Sequence, residues 1–451
     1  MQFPIKHLPA RAAWLRIHLY LALSAGFLFA LMGLTGSISV YRVELDELFN
    51  PQLVIEEPQG NYQSLDRIMV SVHKAHPDRY GSWTLEMPGS SHGMITVWYD
   101  KPRETVFELY APLMVSVNPY TAEVVASRFW GQTAATWLLD LHTQLRLARF
   151  GWNAVGILGL LLMISVATGL YLWWPGITGL RSALKIRHRA GMIQFAFDLH
   201  RLIGLLSAPA LLLLAFTGFL LIYPSVPESL TGSSGMEHGE TGRTIPSTAI
   251  PNNHPVGLES AEFIARGPFP RAQLRRVTTP AGNAGIYRIN LRQDGEINQR
   301  HPFTTVWVDR WSGHIKEVRN PAGFTTGETI ATWIWPLHTG EALGAKGRFL
   351  WFVAGQSVFV LYVSGLLRWL YRRGMVKDRD VNLAALKPHF YRLIKMTRSM
   401  SLKLFHLIYL LIQRIIQYAP IIRKGWAASF LGLKRMLLIA KTHRQRPGKI
   451  N

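Results

Sequence analysis

Four stretches of the chain stay apolar for long enough to cross a bilayer: 17–41, 152–174, 202–223 and 349–371. At about 1.5 Å per helical residue, each reaches across a hydrocarbon core of about 30 Å. Apart from an edge histidine, the one charged residue within them is Arg368. It lies near an end, where a long side chain can snorkel to water. Between the spans the pattern changes period. LDRIMVSVHKAHPD (65–78) has helical spacing and runs into a proline. SWTLEMP, GMITVWYD, TVFELYA and LMVSVNPYTAEVVA alternate as strands do, with β-branched and aromatic residues on one face. NPYT (118–121) is a turn signal. After the third span the same sense returns: SAEFIARGPFP as helix, then AQLRRVTTP, GIYRINLR and TTVWVDRWSGHIKEV as strands. The turn at Asp309–Gly313 answers the one at Asn118–Thr121.

The pattern divides the chain into a leading segment 1–16, a span 17–41, an outer module 42–137 and a span with its outer approach 138–174. A loop 175–199 and a span 200–224 follow, then a second outer module 225–335, a span with its approach 336–371 and a tail 372–451. The expected fold is an α-helical membrane protein with four transmembrane helices in two parallel repeats. It carries two α+β outer modules and a basic helical tail. Residues 226–256, rich in Ser, Gly, Pro and Asn, read as a loop. The apolar stretches 404–412 and 427–440 are too short to span and read as interfacial helices. The first span resembles a signal peptide in its basic start. Its length and its match to the third span make it an expected retained anchor.

The repeat is exact enough to align without gaps. His18 and His200 each open a span, with Thr-Gly 17 and 18 residues on (Thr35-Gly36, Thr217-Gly218) and Tyr 23 residues on (Tyr41, Tyr223). His142 and His338 each stand in Leu-His-Thr. Both have Gly at +9 (Gly151, Gly347) and at +17 (Gly159, Gly355). Both have Thr/Ser-Gly at +26 and +27 (Thr168-Gly169, Ser364-Gly365) and Trp at +31 (Trp173, Trp369).

Charge orients the repeat. The 451 residues carry a net +22, and 49% are hydrophobic. Lys6, Arg11 and Arg16 precede the first span, and Arg181, Lys185, Arg187 and Arg189 join the second to the third. Residues 368–451 hold 19 Lys and Arg against two Asp. All three regions fall on one side of a four-span chain, so that side is expected to be cytoplasmic, with both termini on it. Basic residues beside a span point to anionic headgroups rather than nucleic acid.

This orientation sorts the histidines. His18 and His200 share the inner end, and His142 and His338 share the outer end. A pair drawn from both ends would have to bridge most of a membrane. The inner pair and the outer pair are therefore the two candidate sites, each taking one ligand from each repeat. Ionisable residues at membrane edges are functional candidates. The chain has no cysteine, which excludes disulfides, thiolate metal sites, iron–sulfur clusters and covalent c-type haem. It has no P-loop and no dinucleotide fingerprint after a strand. Histidine is left as the strong ligand for a metal or for haem iron. On a continuous helix His142 lies about 39 Å from Thr168. The outer pair is then expected at or above the bilayer surface unless a break occurs near Gly151. The abundant glycines are expected to thin the helices for close packing or for a flat macrocycle.

DLHRLIGLLSAPALLLLAFTGFLLIYP (198–224), LHTQLRLARFGWNAVGILGLLLMISVATGLYLWWPG (141–176) and PLHTGEALGAKGRFLWFVAGQSVFVLYVSGLLRWL (336–370) resemble the PepSY-associated transmembrane family of bacterial inner-membrane proteins. With its outer modules read as PepSY-like, the resemblance covers about 1–375. It implies two haem b groups on His18, His142, His200 and His338. It also implies a reductase that takes electrons from a quinol or a cytoplasmic reductase. Electrons then pass to a ferric siderophore in the periplasm, and Fe(II) is released to iron-uptake partners. Arg79, Arg128, Arg271, Arg275, Arg276 and Arg300, with Trp83, Trp98, Trp130 and Trp307, are outer residues that could hold an anionic complex. His73, His76, His92 and His301 are expected in solvated loops. Two alternatives stay open: a non-enzymatic membrane protein whose modules bind or regulate a periplasmic protein, and a haem electron carrier with another acceptor.

Overall fold

The computed structural model describes residues 11–377 except 59, 176–178, 180–190, 232–244, 249 and 251–253. The basic loop residues Arg181, Lys185, Arg187 and Arg189, Lys6, part of the 226–256 loop and the helices expected at 404–412 and 427–440 lie outside the described residues.

Among the described residues, three helices are long and apolar enough to cross a membrane: α6 (Ala148–Trp173), α7 (Met192–Ile222) and α11 (Gly344–Arg372). A broken pair, α1 (Arg11–Ser24) and α2 (Gly26–Ser39), bent by 61°, makes a fourth crossing if the two count as one span. The stretch read as one span at 17–41 is thus two helices. The break has a local cause. The Ser24 hydroxyl donates to the Tyr20 carbonyl at 2.7 Å, a back-bond that bends helices, and the small residues Ala25 and Gly26 follow. The helices pack as a bundle, α1 on α6, α6 on α7, and α11 on both α2 and α7. A Cβ at Gly33 would lie 2.5 Å from the Gly355 carbonyl, and one at Gly159 would lie 3.1 Å from that of Ala215. The repeat glycines Gly159 and Gly355 thus stand at backbone-to-backbone crossings.

Each sheet-end approach is a short helix followed by a corner. α5 (Ala134–Gln144) leads into α6 through Leu145, Arg146 and Ala148, all at positive φ. α10 (Thr326–Thr339) leads into α11 through Gly340 and Gly344, also at positive φ. Thr133 and Thr325 cap α5 and α10 through their hydroxyls, Thr325 within a capping box with Glu328.

At this end of the bundle lies one antiparallel sheet of order β4-β3-β2-β1-β5-β6-β7-β8. Its first half is β1 (Trp83–Glu86), β2 (Ile95–Tyr99), β3 (Leu113–Val117) and β4 (Val124–Phe129). Its second half is β5 (Gln273–Thr278), β6 (Ile286–Arg292), β7 (Thr304–Asp309) and β8 (Ile315–Arg319). The two segments read as separate modules therefore share a sheet, joined where β1 pairs with β5. One face, with Trp83, Leu85, Val97, Val115, Val277, Ile289 and Val306, packs against α4 (Leu65–Ala75) and α9 (Leu258–Arg266). Each such fully buried aliphatic side chain stabilises by about 1.5–3 kcal/mol. Asp66 of α4 accepts from the Leu258 and Glu259 amides, so the first helix caps the second. The other face looks toward the bundle. There Arg128 of β4 forms a two-pronged bond to Asp46 of α3 (Arg42–Phe49) at 2.9 Å.

TVFELYA is not a strand. Residues 103–105 form a 3-10 turn, and the Thr105 hydroxyl closes the loop onto the Ala111 carbonyl at 2.6 Å. Phe107 is left 96% exposed, because the alternating pattern has no neighbouring strand to pair with. The two turn motifs do form turns. Asn118 accepts from the Tyr120 amide, and Asp309 accepts from those of Trp311 and Ser312.

Candidate functional site: two facing histidine pairs

The structure brings the four histidines together as two pairs. The rings of His18 and His200 have centroids 6.5 Å apart, and those of His142 and His338 are 6.3 Å apart. The ring planes differ: 84° between His18 and His200, and 34° between His142 and His338.

Each imidazole is seated by a neighbouring helix of its own repeat, and the seat is the same four times. His18 Nδ1 donates to the Ser165 carbonyl at 3.0 Å, beside the Thr168 hydroxyl at 3.2 Å. His142 Nδ1 donates to the Met32 carbonyl at 3.1 Å, beside Thr35. His200 Nδ1 donates to the Leu361 carbonyl at 3.0 Å, beside Ser364 at 3.0 Å. His338 Nδ1 lies 3.0 Å from the Thr217 hydroxyl and also bonds the Leu214 carbonyl. In every case the carbonyl belongs to the residue three before the hydroxyl residue. The hydroxyls donate back to their own helix, Thr168 to Ile164, Thr35 to Leu31, Ser364 to Val360 and Thr217 to Leu213. Their oxygens are thus left to accept. A carbonyl can only accept, so Nδ1 carries the proton and the Nε2 lone pair is free for a ligand bond. Among the described residues no protein group bonds Nε2 of any of the four.

The glycine after each hydroxyl completes the seat. A Cβ at Gly36 would lie 2.5 Å from His142 Cε1, at Gly218 3.0 Å from His338, at Gly169 3.1 Å from His18 and at Gly365 3.3 Å from His200. A side chain there would push the ring away. The Thr/Ser-Gly pairs are a repeat signal in the sequence, where the expected task of their glycines is thinning the helices for close packing or for a flat macrocycle. The signal that could have found the seat is the 17-residue spacing shared by His18–Thr35 and His200–Thr217, which puts a seat at the far end of the span that each of these two histidines opens.

That spacing also fixes depth. Thr217 lies 17 residues after His200 on the single helix α7, so the two pairs are about 26 Å apart along it. Gly151 and Gly347 lie 17 residues before Thr168 and Ser364, at the level of the sheet-end pair. The remaining residues from His142 to Gly151 are spent in the corner, where Gly151 rests on the Gln144 carbonyl. Gly347 rests likewise on that of Gly340. The sheet-end pair therefore sits within the reach of the spans, not above them. The continuous-helix spacing of about 39 Å fails because the corner adds chain without adding depth.

Asp140, two residues before His142, anchors the first corner. It is 3% exposed and accepts from Trp130 Nε1 at 2.8 Å and Arg146 at 2.5 Å. Asp198 stands two residues before His200 and is buried beside Gln194 and Arg201.

The other outer residues scatter. Trp83 and Trp307 are buried, Arg79 pairs with Glu104, and Arg128 pairs with Asp46. His92 Nδ1 donates to the Ile55 carbonyl at 2.7 Å, and His76 meets Ser127. Trp98 and Trp130 pack together, and Arg276 and Arg300 join a charged layer between the sheet and the bundle. No group of three or more His, Asp or Glu gathers among the described residues.

Fold and site together define a multi-pass membrane protein with a facing histidine pair at each end of its helical bundle. The chain belongs to the PepSY-associated TM region family, whose match runs over residues 15–372 and includes all four histidines. No curated protein matches the chain.

Proposed function

We propose that the chain carries electrons across the bacterial inner membrane to a ferric siderophore, with haem b at each histidine pair. The observation that carries this reading is the pair geometry. A metal centred between two imidazoles, with bonds of about 2 Å, separates the ring centres by about 6 Å, close to the 6.5 and 6.3 Å found. Two side chains are too few for a bare ion, which takes three or four. His18 with His200, and His142 with His338, would hold a haem iron, because a porphyrin brings the other donors itself. Bound haem would supply one-electron transfer.

The chain supplies the rest. The carbonyl and hydroxyl seats hold each imidazole in the tautomer that offers Nε2, and the glycines let the ring approach. The apolar helices keep water from the path. The basic segments favour a cytoplasmic side for the His18–His200 pair, where a quinol or a cytoplasmic reductase would donate. The His142–His338 pair then faces the periplasm beneath the sheet. A siderophore's oxygen donors grip Fe(III) far better than the softer Fe(II). One electron therefore frees the iron without breaking a bond in the chelator.

The test is the visible spectrum of the detergent-purified protein before and after reductant, then with ferric siderophores added. A reduced b-type band with about two haems per chain, bleached by the ferric chelate, is expected. A protein that takes up no haem overturns the reading. A chromophore that no ferric chelate re-oxidises would leave an electron carrier with another acceptor.

A further inference from the structure

The face of the sheet that looks at the bundle carries an imbalance of charge. At its centre Glu86 of β1 stands opposite Arg276 of β5 and accepts from it at 2.6 Å. Burial pushes the Glu86 carboxyl up, but Arg276, Arg300 and Arg42 outweigh it and hold the group below the usual carboxylate range. Three guanidiniums thus face Glu86, while Asp46, which also acts on Arg42, is already held by Arg128. Arg300 also lies 3.9 Å from Glu341. Arg42 is the most telling. Among the described residues it makes no hydrogen bond and no ion pair, and its guanidinium lies 5.3 Å over the Trp130 ring. Burial and the neighbouring Arg300 push its pKa down to about 10. The Arg42 guanidinium is partly buried and offers five N–H donors, which no protein acceptor takes among the described residues. Nε of Arg276 and Nε1 of Trp98 are also buried without a partner among the described residues.

The position of this cluster matters as much as its charge. Arg42 lies six residues after Gly36, which seats His142. Arg300 adjoins His301, whose ring packs at 5.3 Å on Trp335, three residues before His338. Both ligand-bearing sides of the sheet-end pair therefore lead into it.

We propose that Arg42, Arg276 and Arg300 form a seat for an oxygen anion of carboxylate type, placed to meet the sheet-end histidine pair. This deepens the function proposed above by giving the charge of what that pair meets. The carboxylate has two chemical sources: an incoming ferric chelate, or the propionates of a porphyrin held by His142 and His338. Guanidinium recognises both through paired N–H···O bonds.

The probe is gallium(III) citrate, which is anionic and redox-inert. It is titrated calorimetrically, at fixed ionic strength, into the full-length purified protein and into His338→Ala, which removes one sheet-end ligand. Gly36→Leu, which crowds His142, is a second way to empty that pair. Binding to both the unsubstituted protein and the emptied variants assigns the seat to an incoming chelate. Binding only to the emptied variants assigns it to porphyrin carboxylates. In either case Arg42→Gln and Arg300→Gln, introduced into the form that binds, weaken binding by roughly tenfold. Arg67→Gln, an exposed charge change on α4 across the sheet, leaves it unchanged. No binding to any form, or binding that ignores Arg42→Gln and Arg300→Gln, overturns the seat. The haem spectrum is read on the same samples, so a colourless protein that binds the probe would sink the haem reading and leave the seat standing.

Discussion

At the end away from the sheet, His18 and His200 stand on helices that run on past them into the bundle. At the sheet end, His142 and His338 stand on short helices that stop within two residues, at Gln144 and Thr339. The seats are alike, yet the frames are not. The far pair takes its level from the spans themselves, whereas the sheet-end pair takes it from two corners and from the neighbouring helix. The corners differ in turn. The first places three non-glycine residues at positive φ, held by the Arg146–Asp140 bond, and the second uses Gly340 and Gly344. One geometry is therefore reached once by strain with an anchor and once by backbone freedom, which shows that the level of the ligand, not the corner's chemistry, is what both halves share.

The sharpest break of this comparison is removal of one ligand at each end. His338→Ala and His200→Ala should each remove about half of the reduced haem absorbance, leaving the other pair loaded. Loss of all absorbance from either variant would show that the pairs are not independent. Smaller is the effect of filling a seat. Gly36→Ala puts a methyl 2.5 Å from the His142 ring, whereas Gly365→Ala puts one 3.3 Å from that of His200. The first should cost about 1–3 kcal/mol in thermal unfolding and weaken sheet-end loading, and the second less than about 1 kcal/mol. Equal effects would mean that the two ends tolerate crowding alike.

The corners give a third contrast. Ala148→Gly relieves a left-handed alanine and should stabilise by about 1 kcal/mol, while Gly340→Ala should destabilise by about 1–2 kcal/mol. Melting curves of the two variants read the opposite signs directly. The smallest effect is expected from acid. Glu86 is held below its unfolded value of about 4.3, so its contribution is complete at neutral pH and fades as pH falls through the depressed folded pKa. Glu86→Gln should flatten that part of the stability profile, and an unchanged profile would remove Glu86 from the account.

Much of the site is legible in the sequence. The gapless alignment of His18 with His200 and of His142 with His338 is a property of the sequence, and Lys/Arg placement sorted them into ends. The core face of the sheet followed from alternation in GIYRINLR and TTVWVD, where Ile289, Leu291 and Val306 are fully buried. The first corner was not legible, because Leu145, Arg146 and Ala148 carry no turn signal. Their positive φ is imposed by the Asp140 anchor and by the need to bring His142 down to Thr35. TVFELYA misled for the opposite reason: its local pattern suits a strand, but pairing is a long-range decision.

The sequence by itself determined which residues could be ligands, how they divide between two ends, and that two halves repeat one plan, since periodicity, charge and composition are local properties. Only the tertiary structure decided that each Thr/Ser-Gly is the seat of another helix's histidine, that the sheet-end pair lies within the spans, and that two outer segments close into one sheet. Those facts depend on which backbone approaches which. That choice is settled by packing between segments far apart in the chain, where glycine, corner and carbonyl act together.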